Sequence, residues 1–226
     1  MVTITIYHSP CTIYESMLRV GLTGSIAVGK TFVAGVLAEL GCHVLNADRT
    51  AREVVAPDSP GLKAVAEAFG REVLRTDGTL DRERLGAIVF ADESQRERLN
   101  AILHPMIIAA QDQQLRRWEA LDPHGIGVVD AALMIESGGY RRFDNIIVVH
   151  CRPEIQLQRL MTRGNLTREE AEKRIASQMP QEEKKRYADY LIDSSLGFDD
   201  TRRQTVEVYR ALRDSEEKRR AGTETL

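Results

Sequence analysis

Eight consecutive residues combine the types and the spacing needed to hold a chain of phosphates. Gly24 to Thr31 reads GSIAVGKT, which fits G-x-x-x-x-G-K-[ST], the phosphate-binding loop or P-loop. Gly24 and Gly29 allow turns that a Cβ would obstruct. Successive N–H groups then face one concavity and cradle phosphate oxygens. A helix opening near Lys30 adds the positive end of its dipole. The nucleotide-binding stretch therefore runs through Gly24, Ser25, Ile26, Ala27, Val28, Gly29, Lys30, Thr31 and Phe32. In this arrangement Lys30 bridges the β- and γ-phosphates of ATP, and the Thr31 hydroxyl ligates Mg²⁺.

Such a loop works only between a strand and a helix, and the flanking residues supply both. The apolar run Leu18 to Leu22 precedes it and the amphipathic run Phe32 to Leu40 follows it. Further short apolar runs lie at Cys42 to Leu45, Gly127 to Val129, Ile146 to Val149 and Tyr190 to Ile192. Runs of this kind, bounded by Gly, Asp or Asn, read as strands buried on both faces of a parallel sheet. Helix-period segments separate them. The expected fold is α/β and P-loop NTPase-like, with a central parallel sheet of about five strands and helices on both faces.

The stretch from Ala51 to Leu121 is too long for one crossover helix, and it reads as helical throughout. Residues 51–121 are therefore expected to form an inserted helical subdomain, with Asp81 capping one helix and another broken near Pro105. Residues 17–50 and 122–212 would form the core, with a helical lid at 153–188. From Arg152 to Arg186 there are nine Lys or Arg against six Asp or Glu, a local excess of +3. The last helix should start at Asp199 or Asp200, and 213–226 should be a charged, disordered tail. Residues 1–16 read as an extension before an alternative start at Met17, or, through Val2 to Tyr7, as an added edge strand.

Composition excludes several classes. With 31 Lys plus Arg against 34 Asp plus Glu, no global basic excess supports nucleic-acid binding. Three widely spaced cysteines without a CxxC pair argue against a disulfide framework or structural zinc. No apolar run approaches the ~20 residues of a membrane span, and the N-terminus lacks the pattern of a signal peptide. A cytoplasmic protein is expected, as a monomer or a weak homo-oligomer. The GTPase N-K-x-D is absent, and the length disfavours large mechanical ATPases, which leaves a small-molecule kinase.

A series of segments then resembles the dephospho-coenzyme A kinase family. LRVGLTGSIAVGKTFVAGVLAELG is similar to its P-loop segment, and HVLNADRTAREVV to its "DAD" segment. LDRERLGAIVFADESQRERLNAILHP resembles its acceptor-domain signature, and Asp130 to Glu136 its D-x-P-L-L-F-E. The stretch from Gln156 to Asp193 resembles its lid and closing strand. The resemblance implies transfer of the ATP γ-phosphoryl group to the 3′-hydroxyl of dephospho-coenzyme A, with Asp48 as the catalytic carboxylate.

Asp130 is expected either to join Thr31 at the Mg²⁺ shell or to cap the next helix. Asp48 has a comparable alternative as a helix cap. Arg159 and Arg163, spaced i, i+4, share a helix face and would clamp ATP phosphates, Arg163 being the preferred catalytic arginine. Gln178, Lys173 and Arg174 are weaker lid candidates. Arg52, Arg82 and His104 would meet the acceptor. The chain departs from the family where Gly is usual at Ser25 and Ala27, where Asn46 replaces the first Asp of "DAD", and at Ala132, Ile135 and Ser194. Two rivals stay open: another P-loop kinase of a nucleoside, nucleotide or small metabolite, and a catalytically silent nucleotide-binding module.

Overall fold

Strand β4 (Asn145–His150) shows how the sheet is built. Ile147 and Val149 enter one hydrophobic cluster, and Ile146 and Val148 enter another on the opposite face. A period of two with both faces buried is the signature of a central parallel strand. In the computed structural model, which describes residues 17–223 with side chains through Arg220, five strands form one sheet. Besides β4 these are β1 (Leu18–Thr23), β2 (His43–Asn46), β3 (Ile126–Asp130) and β5 (Tyr190–Asp193). Their order is β2-β3-β1-β4-β5, and every pair is parallel. All five expected apolar runs are strands, each differing at its ends by a residue or two. The expected strand at Val2 to Tyr7 lies outside the described residues.

On one face of the sheet pack α1 (Lys30–Glu39), through Val33 and Leu37, and α9 (Phe198–Thr223), through Val208 and Leu212. On the other face, Leu115 of α5 (Glu93–Leu121) meets Val129, Met134 and Val148. A third cluster stands apart from the sheet. It joins Val55, Leu62, Val65, Phe69, Val73, Leu80 and Leu85 to Leu99 and Leu103 of α5. Its elements are α2 (Ala47–Val54), α3 (Pro60–Phe69), α4 (Arg82–Ala91) and the first half of α5. Helices α6 (Pro153–Gly164), α7 (Arg168–Ala176) and α8 (Gln181–Lys184) lie between β4 and β5.

Three expectations require correction. Helix α5 is continuous from Glu93 to Leu121 with Pro105 inside it, and no break occurs there. Proline deletes one hydrogen bond and costs a helix interior about 3 kcal/mol. Leu99, Ile102 and Leu103 before Pro105 and Leu115 after it are held in different clusters, and that burial carries the helix across. Residues 213–223 are likewise not a disordered tail, because α9 runs to Thr223. Leu212 and Glu216 are buried, and Arg213 Nη1 donates to His124 O at 2.8 Å. Finally, α9 starts at Phe198, ahead of Asp199. No helix among the described residues is long and apolar enough to cross a membrane.

Candidate active site

The loop after β1 takes its shape from its small residues. A Cβ on Gly24 would sit 2.5 Å from the carbonyl oxygen of Val149, so only glycine fits against β4. Gly29 has φ +88°, and Ala27 adopts the left-handed region with φ +63°. A side chain in that region costs roughly 1 kcal/mol, which is why glycine suits position 27 and why Ala27 is a strained choice. Neighbouring elements hold the loop in place. Gln156 Nε2 donates to Ile26 O at 2.9 Å, and Ile26 N donates to Gln178 Oε1 at 2.8 Å. Ser194 Oγ donates to Val28 O at 2.7 Å. Gln178 was expected in the lid. Gln156 and Ser194 were not expected to touch the loop, since their contacts are tertiary and leave no local pattern.

A cavity of about 930 Å³ opens over this loop. Lys30, Asp48, Asp130, Arg159, Arg163 and Phe198 are among its lining residues, with the loop from Ser25 to Phe32 as its floor. Lys30 Nζ donates to Asp130 Oδ1, and Asn46 Nδ2 donates to Asp130 Oδ2 at 3.3 Å. Asp130 is buried. It ends β3, and the residues directly after it form turns, with no helix starting there, so the capping alternative fails.

The capping alternative for Asp48 fails as well. Asn46 is the N-cap of α2, its side chain accepting from Arg49 N at 2.9 Å. Asp48 lies in the first turn of α2, exposed, and lines two cavities: the large one and a second of about 220 Å³. His104, Gln111 and Arg142 also line the second cavity.

The two arginines of α6 occupy different settings. Arg159 gives both terminal nitrogens to Ser194, to the hydroxyl and to the carbonyl oxygen, each at 2.8 Å. Ser194 is fixed in turn by the neighbouring Asp193 turn. There, burial pushes the carboxyl up, but bonds from the Ser195 hydroxyl and N–H outweigh it and hold Asp193 below its usual range. Arg163 is exposed in the last turn of α6, where Asn165 closes the helix with φ +46°. Arg52 and Arg82 are exposed and line neither cavity, while His104 lines the smaller one. Lys173 and Arg174, on α7, line neither cavity.

The donor set also suits Mg²⁺. This ion keeps several waters and takes one or two carboxylates together with substrate phosphates. A buried carboxylate, Asp130, and the Thr31 hydroxyl lining the same cavity fit that demand.

A parallel sheet with a P-loop after its first strand, a carboxylate at the end of β3 and an arginine-bearing helix across the cavity define the P-loop kinases. The comparisons narrow the class. Residues 18–200 match the family model described as dephospho-CoA kinase. The dephospho-CoA kinase of Streptomyces avermitilis is 42% identical over 87% of this chain and 94% of that protein. That of Geobacter metallireducens is 43% identical over 86% of this chain and 96% of its own length. The solved dephospho-CoA kinase of Campylobacter jejuni superposes with a TM-score of 0.59 at 27% identity, covering 86% of this chain and 96% of that one. The chain belongs to the dephospho-CoA kinase family.

Proposed function

We propose that the chain transfers the γ-phosphoryl group of ATP to the 3′-hydroxyl of dephospho-coenzyme A, with Asp48 at the point of transfer. The observation that carries this reading is the position of Asp48 in the walls of both cavities. A hydroxyl entering from the smaller cavity and a γ-phosphate entering from the larger one would meet beside its carboxylate. Asp48 accepts the hydroxyl proton or orients the hydroxyl. The amides of Gly24 to Thr31 and the dipole of α1 hold the phosphates. Lys30 and Arg163 place positive charge where it grows on the transferring group. Mg²⁺, when held by Thr31 and Asp130, would neutralise phosphate charge. Residues 153–188 act as a lid that excludes water, since open phosphates would be lost to hydrolysis.

Residues 51–121 form the acceptor subdomain, a division supported by their separate hydrophobic cluster. The buried free thiols Cys42 and Cys151 suit a reducing cytoplasm. The test is a coupled ADP-release assay with ATP and Mg²⁺, run with and without dephospho-coenzyme A. Release that depends on the acceptor is expected. Phosphorylation of a nucleoside but not of dephospho-coenzyme A, or ATP binding with no product, would overturn the reading.

A further inference from the structure

The acceptor carries a diphosphate one ribose away from its reacting hydroxyl, and that charge needs a partner. Arg52 and Arg82, the acceptor candidates read from the sequence, line neither cavity. Among the described residues lining the smaller cavity, Arg142 alone bears a permanent positive charge. It ends the short turn Gly139–Arg142 that follows β3. Its Nη1 donates to Gln111 Oε1 at 3.1 Å and its Nη2 to Asp112 Oδ1 at 2.5 Å. Both partners belong to α5, and Gln111 is buried. The guanidinium also lies 5.7 Å from the Phe143 ring centroid.

We propose that Arg142 binds the anionic diphosphate of the acceptor. This rests on the acceptor assigned above and adds a binding residue for it. Three physical features support it. The fork is already held in one orientation, so little side-chain entropy is left to lose on binding. A guanidinium has more N–H groups than these two bonds use, and those remaining can pair with phosphate oxygens. Most of the other lining residues are apolar, among them Ile107, Val129, Met134 and Phe143. A charge-assisted bond in such surroundings is stronger than one in open water. Asp112 holds the fork and also tempers its charge, which favours reversible binding over a trapped product.

The experiment uses the full chain as wild type, Arg142→Gln and Arg142→Lys. Each is assayed with dephospho-coenzyme A varied at saturating ATP, and with ATP varied at saturating acceptor. Calorimetric binding of dephospho-coenzyme A is measured on the same samples. Arg142→Gln should raise the KM and the Kd for the acceptor about 10- to 100-fold, the loss of a charged hydrogen bond. Its KM for ATP should stay within about twofold, and Arg142→Lys should recover part of the acceptor loss. An unchanged acceptor KM in folded Arg142→Gln would overturn the proposal. So would equal changes in both KM values that Arg142→Lys does not repair. If Arg142→Gln fails to fold, Arg142→Lys decides: a severalfold rise in acceptor KM alone supports the proposal, and wild-type values refute it. Failure of the parent reading would appear separately, as a wild type that does not phosphorylate dephospho-coenzyme A.

Discussion

Asn46 Nδ2 lies 3.3 Å from Asp130 Oδ2, while the other oxygen of the same carboxylate receives the Lys30 ammonium. One buried carboxylate is thus held from two sides, by the end of β2 and by the P-loop. At position 46 the family resemblance has aspartate. Asn46→Asp would keep the helix cap, since Asp caps as well as Asn. It would replace a donor with a second carboxylate against Asp130. Without metal the variant should be less stable by about 1–2 kcal/mol. Added Mg²⁺ should then raise its melting temperature more than it raises that of the wild type. Thermal melts in chelator and in Mg²⁺ check this, and equal Mg²⁺ responses would count against a metal site at Asp130.

Asp48 makes no capping bond, so removing its charge should spare the fold. Asp48→Asn should lower kcat about 10²- to 10⁴-fold, the usual worth of a general base, with the KM for ATP nearly kept. Lys30→Ala should weaken both ATP binding and turnover, because Lys30 serves the ground state and the transition state alike. Steady-state kinetics separate the two outcomes. Full activity in Asp48→Asn would remove Asp48 from the mechanism.

The two arginines of α6 should divide between structure and chemistry. Arg159→Ala loses two bonds to Ser194, which itself supports the loop at Val28, so both melting temperature and kcat should fall. Among the described residues, Arg163→Ala breaks no hydrogen bond or ion pair. Its stability should be unchanged within about 0.5 kcal/mol while kcat falls about 10-fold or more. Melting curves read beside kcat check this, and equal stability losses in the two variants would contradict it.

The order of these elements was legible because it depends on local pattern. Ile146 to Val149 announced a doubly buried strand, and GSIAVGKT announced a loop between strand and helix. What escaped depends on contacts distant in sequence. The spacing of Arg159 and Arg163 shows that they share a helix face, but not that Ser194 waits beside only one of them. Arg142 sits in a basic pair before a strand, and only the fold brings Gln111 and Asp112 to it. The continuation of α9 past Arg213 rests on the burial of Leu212 and Glu216, although the segment itself reads as charged. Asp48 was a plausible cap in the sequence, and the fold gives that place to Asn46 instead.

Burial pushes the Cys42 thiol up from 9.0 to about 12, against a small opposing pull from Arg213. The unfolded chain therefore releases this proton first. Stability from Cys42 is intact below pH 9 and is lost as pH rises towards 12, by about 1.4 kcal/mol per unit. Other groups titrate in the same range, so the informative quantity is the difference between wild type and Cys42→Ala. The gap in unfolding free energy should narrow above pH 9. Parallel pH curves would refute the shift.

Lys184 is fully buried, and its ammonium donates to Ala132 O and to Glu136 Oε1, each at 2.8 Å. The same Glu136 oxygen accepts from Met179 N at 3.3 Å. Ala132 lines both cavities, and Thr23 Oγ1 also donates to its carbonyl. Lys184 thus ties the base of α8 to the wall between the two substrate spaces. Lys184 is the buried member of the pair, whereas Glu136 reaches solvent. A buried charge is costly once its counter-ion is removed. Glu136→Gln, which leaves the Lys184 ammonium buried without an opposite charge, should cost up to about 3 kcal/mol. Adding Lys184→Met should restore part of that loss, since the apolar chain buries no charge. Urea unfolding of the single and double variants measures both quantities. A Glu136→Gln protein as stable as wild type, or a double variant less stable than the single, would show that the pair does not hold this wall.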